Sequence, residues 1–282
     1  MIARVAVAIA IVFLSGASAG SQSYPGLSFD QTIHSSRGLN ATTDTGTVVM
    51  HFLTSRGSIR VDIDGQLPGA ANLAGGKRRS VMILTDSGAR VILLNEDEKQ
   101  YISLNPVTMM EGMKKMLESM GGQVIIDTAR TKLRLDSVGD GPVVDGHPTL
   151  RYHLLTSLHM SMSMMGNTSE LEQESVDDIL AAADITDLAD VTASMTRLMD
   201  MGQAMGMAPD FTERAKALQR KIRGLPLRVT KVQTITANGR TRTSSQDIVI
   251  SNVKRVAVPS SAFAIPAGYT PVAVPKLPTV NQ

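Results

Sequence analysis

The feature that most constrains this chain is an alternation of period two over residues 150–164. The even positions read Leu, Tyr, Leu, Thr, Leu, Met, Met and Met, while most odd positions are polar. This pattern predicts a β-strand with one apolar face. A straight strand of this length would approach 50 Å at about 3.3 Å per residue, which is far longer than usual. We therefore expect the strand to bend and its sheet to be strongly curved.

Shorter alternations predict further strands before and after this segment. Ile59, Val61 and Ile63 alternate with polar residues, and turn signals recur at the spacing of hairpins. A later hairpin is predicted for residues 227–252, with its turn at Asn238-Gly239. This spacing is typical of antiparallel strands rather than of β-α-β units. The sheet is therefore expected to be antiparallel.

Helices are predicted in two regions. Residues 107–120 form an amphipathic pattern that ends at a Gly pair. A helical block is expected from residue 175 to residue 223, with one helix near residues 187–205 and another over residues 210–222. The three apolar faces carry Met109, Met113, Met116 and Met120; Leu188, Val191, Met195, Leu198 and Met199; and Phe211, Ala215, Leu218 and Ile222.

The first residues are typical of a secretory signal peptide. Arg4 precedes an unbroken apolar run over residues 5–14, and Ala17-Ser18-Ala19 has the small-x-small pattern of a cleavage site. Ten helical residues span about 15 Å, roughly half of a bilayer core, so a transmembrane helix is not expected. We predict cleavage near Ala19 and export to the periplasm or the extracellular space. An uncleaved membrane anchor is the alternative.

Composition excludes several classes of protein. The chain has 282 residues, of which 43% are hydrophobic, and its formal net charge is only +2. Nucleic-acid binding is not expected, because it needs a surplus of Lys and Arg. The absence of Cys excludes disulfides, thiolate metal sites and thiol nucleophiles. We predict a single domain over residues 20–270, a Pro-rich flexible tail over residues 271–282, no cofactor and no transmembrane segment in the mature chain.

Charge is unevenly distributed along the second half. Residues 170–190 carry eight acidic and no basic side chains, whereas residues 214–242 are rich in Arg and Lys. The basic segment could bind an anionic surface. Alternatively, it is a solvated face that the acidic segment balances by folding back against it. The second interpretation is favoured because no aromatic residues are interspersed among the cations.

No standard catalytic motif is present in the mature chain. It lacks a G-x-S-x-G elbow, a Walker loop and an H-E-x-x-H pair. The five histidines are widely spaced, although a triad can be assembled from distant residues. The sequence therefore favours a protein that is not an enzyme, with an unrecognised hydrolase as a remaining alternative.

The run over residues 159–165 resembles thioether-rich segments that bind Cu(I), since soft sulfur ligands suit that ion. Strand geometry argues against this interpretation. Met160, Met162 and Met164 would point to one face, while His159 and Met165 would point to the other. A buried face lined by methionine explains the run better, and we predict no metal site.

Methionine recurs on the apolar faces of two predicted helices and of the longest strand. Its unbranched, polarizable side chain suits surfaces that adapt to ligands of varied shape. An adaptable apolar interior could hold an acyl chain; ordinary core packing is the alternative. The predicted ligand lining consists of Met109, Met113, Met116, Met120, Leu158, Met160, Met162, Met164, Met195 and Met199.

The closing segment resembles a known family. Residues 224–229 (GLPLRV), the hairpin that follows and residues 263–269 (FAIPAGY) are similar to the end of a family of exported bacterial proteins of unknown function. Residues 98–101 (EKQY) also fit that family's hairpin pattern. The family in turn resembles the periplasmic lipoprotein-carrier fold of the LolA and LppX type. The resemblance implies an α+β fold, a curved antiparallel half-barrel whose concave face is closed by helices around an apolar cavity.

Two principal hypotheses for function follow. The first is a periplasmic or secreted carrier that shelters a lipid or another apolar ligand between the sheet and its helices. The second is a cell-envelope interaction domain with a solid core, which docks a protein partner through the Arg-rich segment or a sheet edge.

Overall fold

The computed structural model describes residues 22–37, 46–64, 79–86, 89–119, 121–164, 167–186 and 209–272. Within these ranges the chain forms thirteen strands of one sheet, two α-helices and a 3-10 helix over Ser260–Phe263. The strands are β1 Ser23–Arg37, β2 Gly46–Ser55, β3 Ser58–Asp64, β4 Arg79–Thr85, β5 Arg90–Asn95, β6 Gln100–Leu104, β7 Gln123–Ile126, β8 Lys132–Asp140, β9 Thr149–Met164, β10 Asn167–Ala182, β11 Leu225–Ala237, β12 Arg240–Pro259 and β13 Thr270–Pro271. The helices are α1 Pro106–Ser119 and α2 Pro209–Gln219.

The sheet is long and open, with the strand order β13-β6-β5-β4-β3-β2-β1-β12-β11-β10-β9-β7. Neighbouring strands pair antiparallel, except for the parallel pair of β13 and β6. Strand β9 pairs with β10 along one side. Along its other side it pairs with β7 and β8, which contact successive parts of the same edge. Strand β9 therefore organises one end of the sheet.

The predicted hairpin at Asn238-Gly239 is confirmed. Asn238 has φ 50° and Gly239 has φ 73°, which are the backbone angles of a type I′ turn. Arg56 and Gly57 have similar angles, 51° and 74°, at the turn between β2 and β3. These turns match the twist of the flanking strands, so short local sequences fix the register of both hairpins.

The core consists of several clusters along the sheet rather than one central volume. Near β3, Ile59, Val61 and Ile63 point to one face and form one cluster. On the opposite face, Ile83 and its neighbours on β4 and β5 pack against Phe263, Ile265 and Tyr269. At the far end, Tyr152, Ile179 and Ala181 form a cluster with partly buried residues of β8, β9 and β11.

The expected α+β half-barrel, with helices closing its concave face, is wrong. The chain forms a large open sheet, and its two described helices of 14 and 11 residues do not close a concave face. Residues 175–182, which were expected to begin a helical block, belong instead to strand β10. Acidic residues have low strand propensity, but here cations of the neighbouring strands pair with two of them. Arg151 on β9 binds Asp178, and Lys231 on β11 binds Asp177.

Several other predictions can be compared with the structure. The first and the last predicted helices are confirmed as α1 and α2. The predicted helix near residues 187–205, the signal peptide and residues 273–282 lie outside the described residues. In the part of the chain that the structure describes, no helix combines the length and apolar character needed to cross a bilayer.

Candidate ligand-binding cleft

A cleft of about 900 Å³ lies between α2 and one end of the sheet. Its helical wall is the predicted apolar stripe of α2, which continues past the last helical residue. Its floor comes from β8 and β9, and its end from the residues that connect α2 to β11. The side chains that form wall and floor are Phe211, Ala215, Leu218, Ile222, Leu133, Leu150, Leu154 and Thr156.

Strand register explains why the floor is apolar. Leu133 on β8 lies opposite Thr156 on β9, so both side chains point to the same face of the sheet. Leu150 and Leu154 share that face because they lie an even number of residues from Thr156. Both leucines also pack against the buried cluster that contains Tyr152. The floor is therefore the rim of a packed core and has a fixed shape.

Two contacts hold the end of the cleft in place. The backbone N–H of Arg223 donates a hydrogen bond to the hydroxyl oxygen of Tyr152 at 3.2 Å. The next residue, Gly224, has φ +85°, and a Cβ there would lie 1.8 Å from the carbonyl oxygen of Ala182. Only glycine fits this close approach. The chain that follows α2 is thus fixed against both β9 and the end of β10.

The charged residues that line the cleft are Arg220 and Arg223, and the lining contains no carboxylate. Both arginines are exposed and lie just beyond the last residue of α2. The remaining polar lining side chains are Thr156, Thr186 and Gln219. The cleft therefore combines an apolar interior with a positively charged end.

The predicted lining residues whose side chains the structure describes do not line this cleft. Leu158, Met160 and Met162 share the face of Leu154 and follow it along β9; Leu158 is buried, Met160 is half-buried and Met162 is 45% exposed. Six residues separate Leu154 from Met160, which corresponds to about 20 Å along a strand. On α1, Met109 is 36% exposed and Met116 is half-buried.

The other predicted lining residues fall outside what the structure describes. This applies to the side chains of Met113, Met120 and Met164 and to all of Met195 and Met199. Among the described residues the cleft is lined by aliphatic and aromatic side chains instead. Sequence reasoning missed Leu133, Leu150 and Leu154 as lining. The period-two alternation could have identified two of these residues, since Leu150 and Leu154 precede Leu158 on the same face of the strand.

A polar cluster around His159 resembles catalytic machinery in composition but not in geometry. Ser157 Oγ and Glu172 Oε1 both approach His159 Nε2, each at 3.3 Å. A catalytic triad instead places the carboxylate on Nδ1 and the serine on Nε2. His159 also lies on the opposite face of β9 from Met160. Among the described residues, no group of three or more His, Asp or Glu side chains is placed to hold a metal ion.

An ion pair between a buried carboxylate and a half-buried lysine lies on the same face of the sheet as the cleft floor. Asp177 on β10 is directly opposite Lys231 on β11, with 3.5 Å between Oδ2 and Nζ. The other oxygen, Oδ1, is buried without a hydrogen-bond partner. Burial raises the pKa of Asp177, although Lys231 and Ser175 act against it. The acidic segment does therefore balance part of the basic segment by folding back against it.

No protein-family model matches this chain, and a search of curated proteins returned no match.

Proposed function

We propose that this chain is an exported, non-enzymatic protein that binds a lipid or another apolar ligand in the cleft between α2 and strands β8 and β9. The observation that carries the proposal is the continuous apolar lining from Leu218 and Ile222 to Leu133 and Leu154. Ligand sites are typically concave and lined mainly by apolar side chains with a few polar groups. The volume of about 900 Å³ falls within the range of small-molecule sites.

The energetics favour an alkyl chain as the bound group. Transfer of one CH₂ group from water to an apolar environment contributes about 0.8 kcal/mol, which is roughly a fourfold change in affinity. The floor and wall offer aliphatic contacts and few polar groups that could position a rigid polar ligand. Affinity should therefore rise with the length of the alkyl chain until the cleft is full.

The proposal is tested by displacing a neutral fluorescent probe, N-phenyl-1-naphthylamine, from the purified mature protein with alkyl compounds of increasing chain length. Ala215 lines the cleft, whereas Ala217 lies on the exposed side of the same helix. Ala215→Trp should block probe and ligand binding, and Ala217→Trp should leave both unchanged. Thermal melting of both variants establishes that they fold.

The outcomes distinguish the principal hypotheses. Length-dependent displacement that Ala215→Trp abolishes supports the binding function. A folded protein that binds neither the probe nor any alkyl chain contradicts it and favours the second hypothesis, a cell-envelope interaction domain with a solid core.

A further inference from the structure

We infer that the ligand is an amphiphile with an anionic head group, which Arg220 and Arg223 bind at the end of the cleft while its alkyl chain lies on β8 and β9. This inference rests on the proposed function and specifies its ligand class. The shared chemistry is a carboxylate or a phosphate on an alkyl chain.

Charge complementarity is the first argument. Arg220 and Arg223 both line the cleft, and no Asp or Glu side chain does. Guanidinium groups bind carboxylates and phosphates through paired hydrogen bonds. A cationic head group would meet only like charge at this position. A neutral head group would gain little from two arginines.

The state of the two arginines is the second argument. Within the described ranges, neither guanidinium has a hydrogen bond or an ion pair to another residue. Arginines of the adjoining strands are engaged: Arg151 binds Asp178 at 2.7 Å and Arg228 binds Asp247 at 3.0 Å. The two arginines of the cleft therefore keep their donors available to a ligand.

The rigidity of this end of the cleft is the third argument. The backbone N–H of Arg223 is bonded to the buried Tyr152, and Gly224 packs against the end of β10. The backbone that carries Arg223 is thus fixed before a ligand binds. A positioned cation beside an apolar floor reduces the ordering cost of binding an amphiphile.

The test compares four compounds that share one twelve-carbon chain: dodecanoate, dodecyl phosphate, 1-dodecanol and dodecyltrimethylammonium. The affinity of each compound is measured by its displacement of N-phenyl-1-naphthylamine from the full mature chain. Each compound is used below its own critical micelle concentration. Hydrogen bonds to charged groups are stronger than those between neutral groups. We therefore expect an anionic compound to bind at least about tenfold more tightly than dodecanol. The double variant Arg220→Gln/Arg223→Gln should remove that preference, so that dodecanoate and dodecyl phosphate bind no more tightly to it than dodecanol does.

The control is Arg214→Gln/Arg242→Gln, which removes two exposed arginines that do not line the cleft. Arginines near a helix C-terminus also stabilise the helix, so melting temperatures are measured for both double variants. A preference for dodecanoate or for dodecyl phosphate that only the cleft variant loses supports the inference and shows which anion is favoured.

Equal binding of all four compounds, or tighter binding of dodecyltrimethylammonium, overturns the inference while leaving the proposed function intact. Failure of every compound to bind overturns both. If the control variant loses the anionic preference equally, the preference arises from the general charge of the protein. This result would also overturn the inference.

Discussion

The hydroxyl of Tyr152 accepts a hydrogen bond from the backbone N–H of Arg223 at 3.2 Å and so ties the chain after α2 to the core of β9. Tyr152→Phe removes this bond while keeping the buried ring. We expect a loss of about 1 kcal/mol in the free energy of unfolding and a weaker affinity for alkyl ligands, because the cleft end becomes mobile. Urea denaturation and probe displacement measure the two effects. The control is Tyr24→Phe, because the Tyr24 hydroxyl donates its hydrogen bond to the exposed Gln22; equal losses in both variants would contradict this role.

Gly224 and Gly239 form a matched pair for a second prediction. Both have positive φ, but an added Cβ at Gly224 would collide with the Ala182 carbonyl, whereas at Gly239 it would meet nothing within 4 Å. Gly239→Ala should lower the free energy of unfolding by only about 1–2 kcal/mol, which is the penalty for a left-handed backbone conformation. Gly224→Ala should cost clearly more and distort the cleft. Thermal denaturation compares them, and a similar shift for both would refute the close packing at Gly224.

His51 gives a prediction for pH dependence. Its hydrogen bond to Asp30, 2.6 Å from Nδ1 to Oδ1, raises the pKa of His51, and Asp64 acts in the same direction. A histidine whose pKa is raised by folding contributes stability that is present below pH 6.5, the ordinary pKa of histidine. That stability is lost as the pH rises through the pKa of His51 in the folded protein. We expect the wild type to lose stability on passing from about pH 6 to pH 8, and His51→Gln to lose less.

The carboxylate of Asp30, which binds His51, sets the lower pH limit of the stability that this pair contributes. Burial raises the pKa of Asp30, but the hydrogen bonds from His51 and Asn252 outweigh it, and the pKa is lowered. The stability that this lowered pKa contributes is present above pH 3.8, the ordinary pKa of aspartate. It is lost as the pH falls through the pKa of Asp30 in the folded protein. His34→Gln serves as the control, since the His34 ring contacts the Thr47 hydroxyl and acts on the opposite Asp247 through its charge alone. Identical pH profiles for wild type and His51→Gln would disprove the assignment.

The ion pair of Asp177 and Lys231 predicts an asymmetry between its two partners. Lys231→Met leaves a buried carboxylate without its cation and should lower the free energy of unfolding by about 2 kcal/mol at pH 7. Asp177→Asn removes the buried charge and should cost less, because Lys231 is partly exposed. Since burial raises the pKa of Asp177, the loss in Lys231→Met should shrink as the pH falls and the carboxyl is protonated. A larger loss for Asp177→Asn would contradict this account.

Local signals explain the elements that the sequence predicts correctly. The Asn238-Gly239 turn defines its hairpin because both residues tolerate positive φ. The stripe of Phe211, Ala215 and Leu218 defines α2 and also the side that faces the cleft. The closing residues Phe263, Ile265 and Tyr269, which belong to the segment of residues 263–269 singled out in the sequence, pack on β4 and β5. For the hairpin and the helix the deciding interaction lies within a few residues, whereas the packing partners of the closing residues lie far away in the sequence.

Long-range pairing explains what could not be predicted. Strand β10 is rich in Glu and Asp, and nothing nearby in the sequence offsets their low strand propensity. The compensating cations, Arg151 and Lys231, arrive from β9 and β11. The cleft floor likewise depends on the register of β8 with β9. Methionine content indicated an apolar lining, but the described cleft is lined by other apolar residues.

Photolabelling tests the central claim most directly. Dodecanoate with a diazirine at its alkyl end is bound to the mature protein and irradiated, and the labelled residues are mapped by mass spectrometry. The account predicts labels on the cleft lining around Leu133, Leu154 and Leu218, with unlabelled dodecanoate competing. Labels on Met109 and Met162, or spread over the exposed surface without competition, would contradict it.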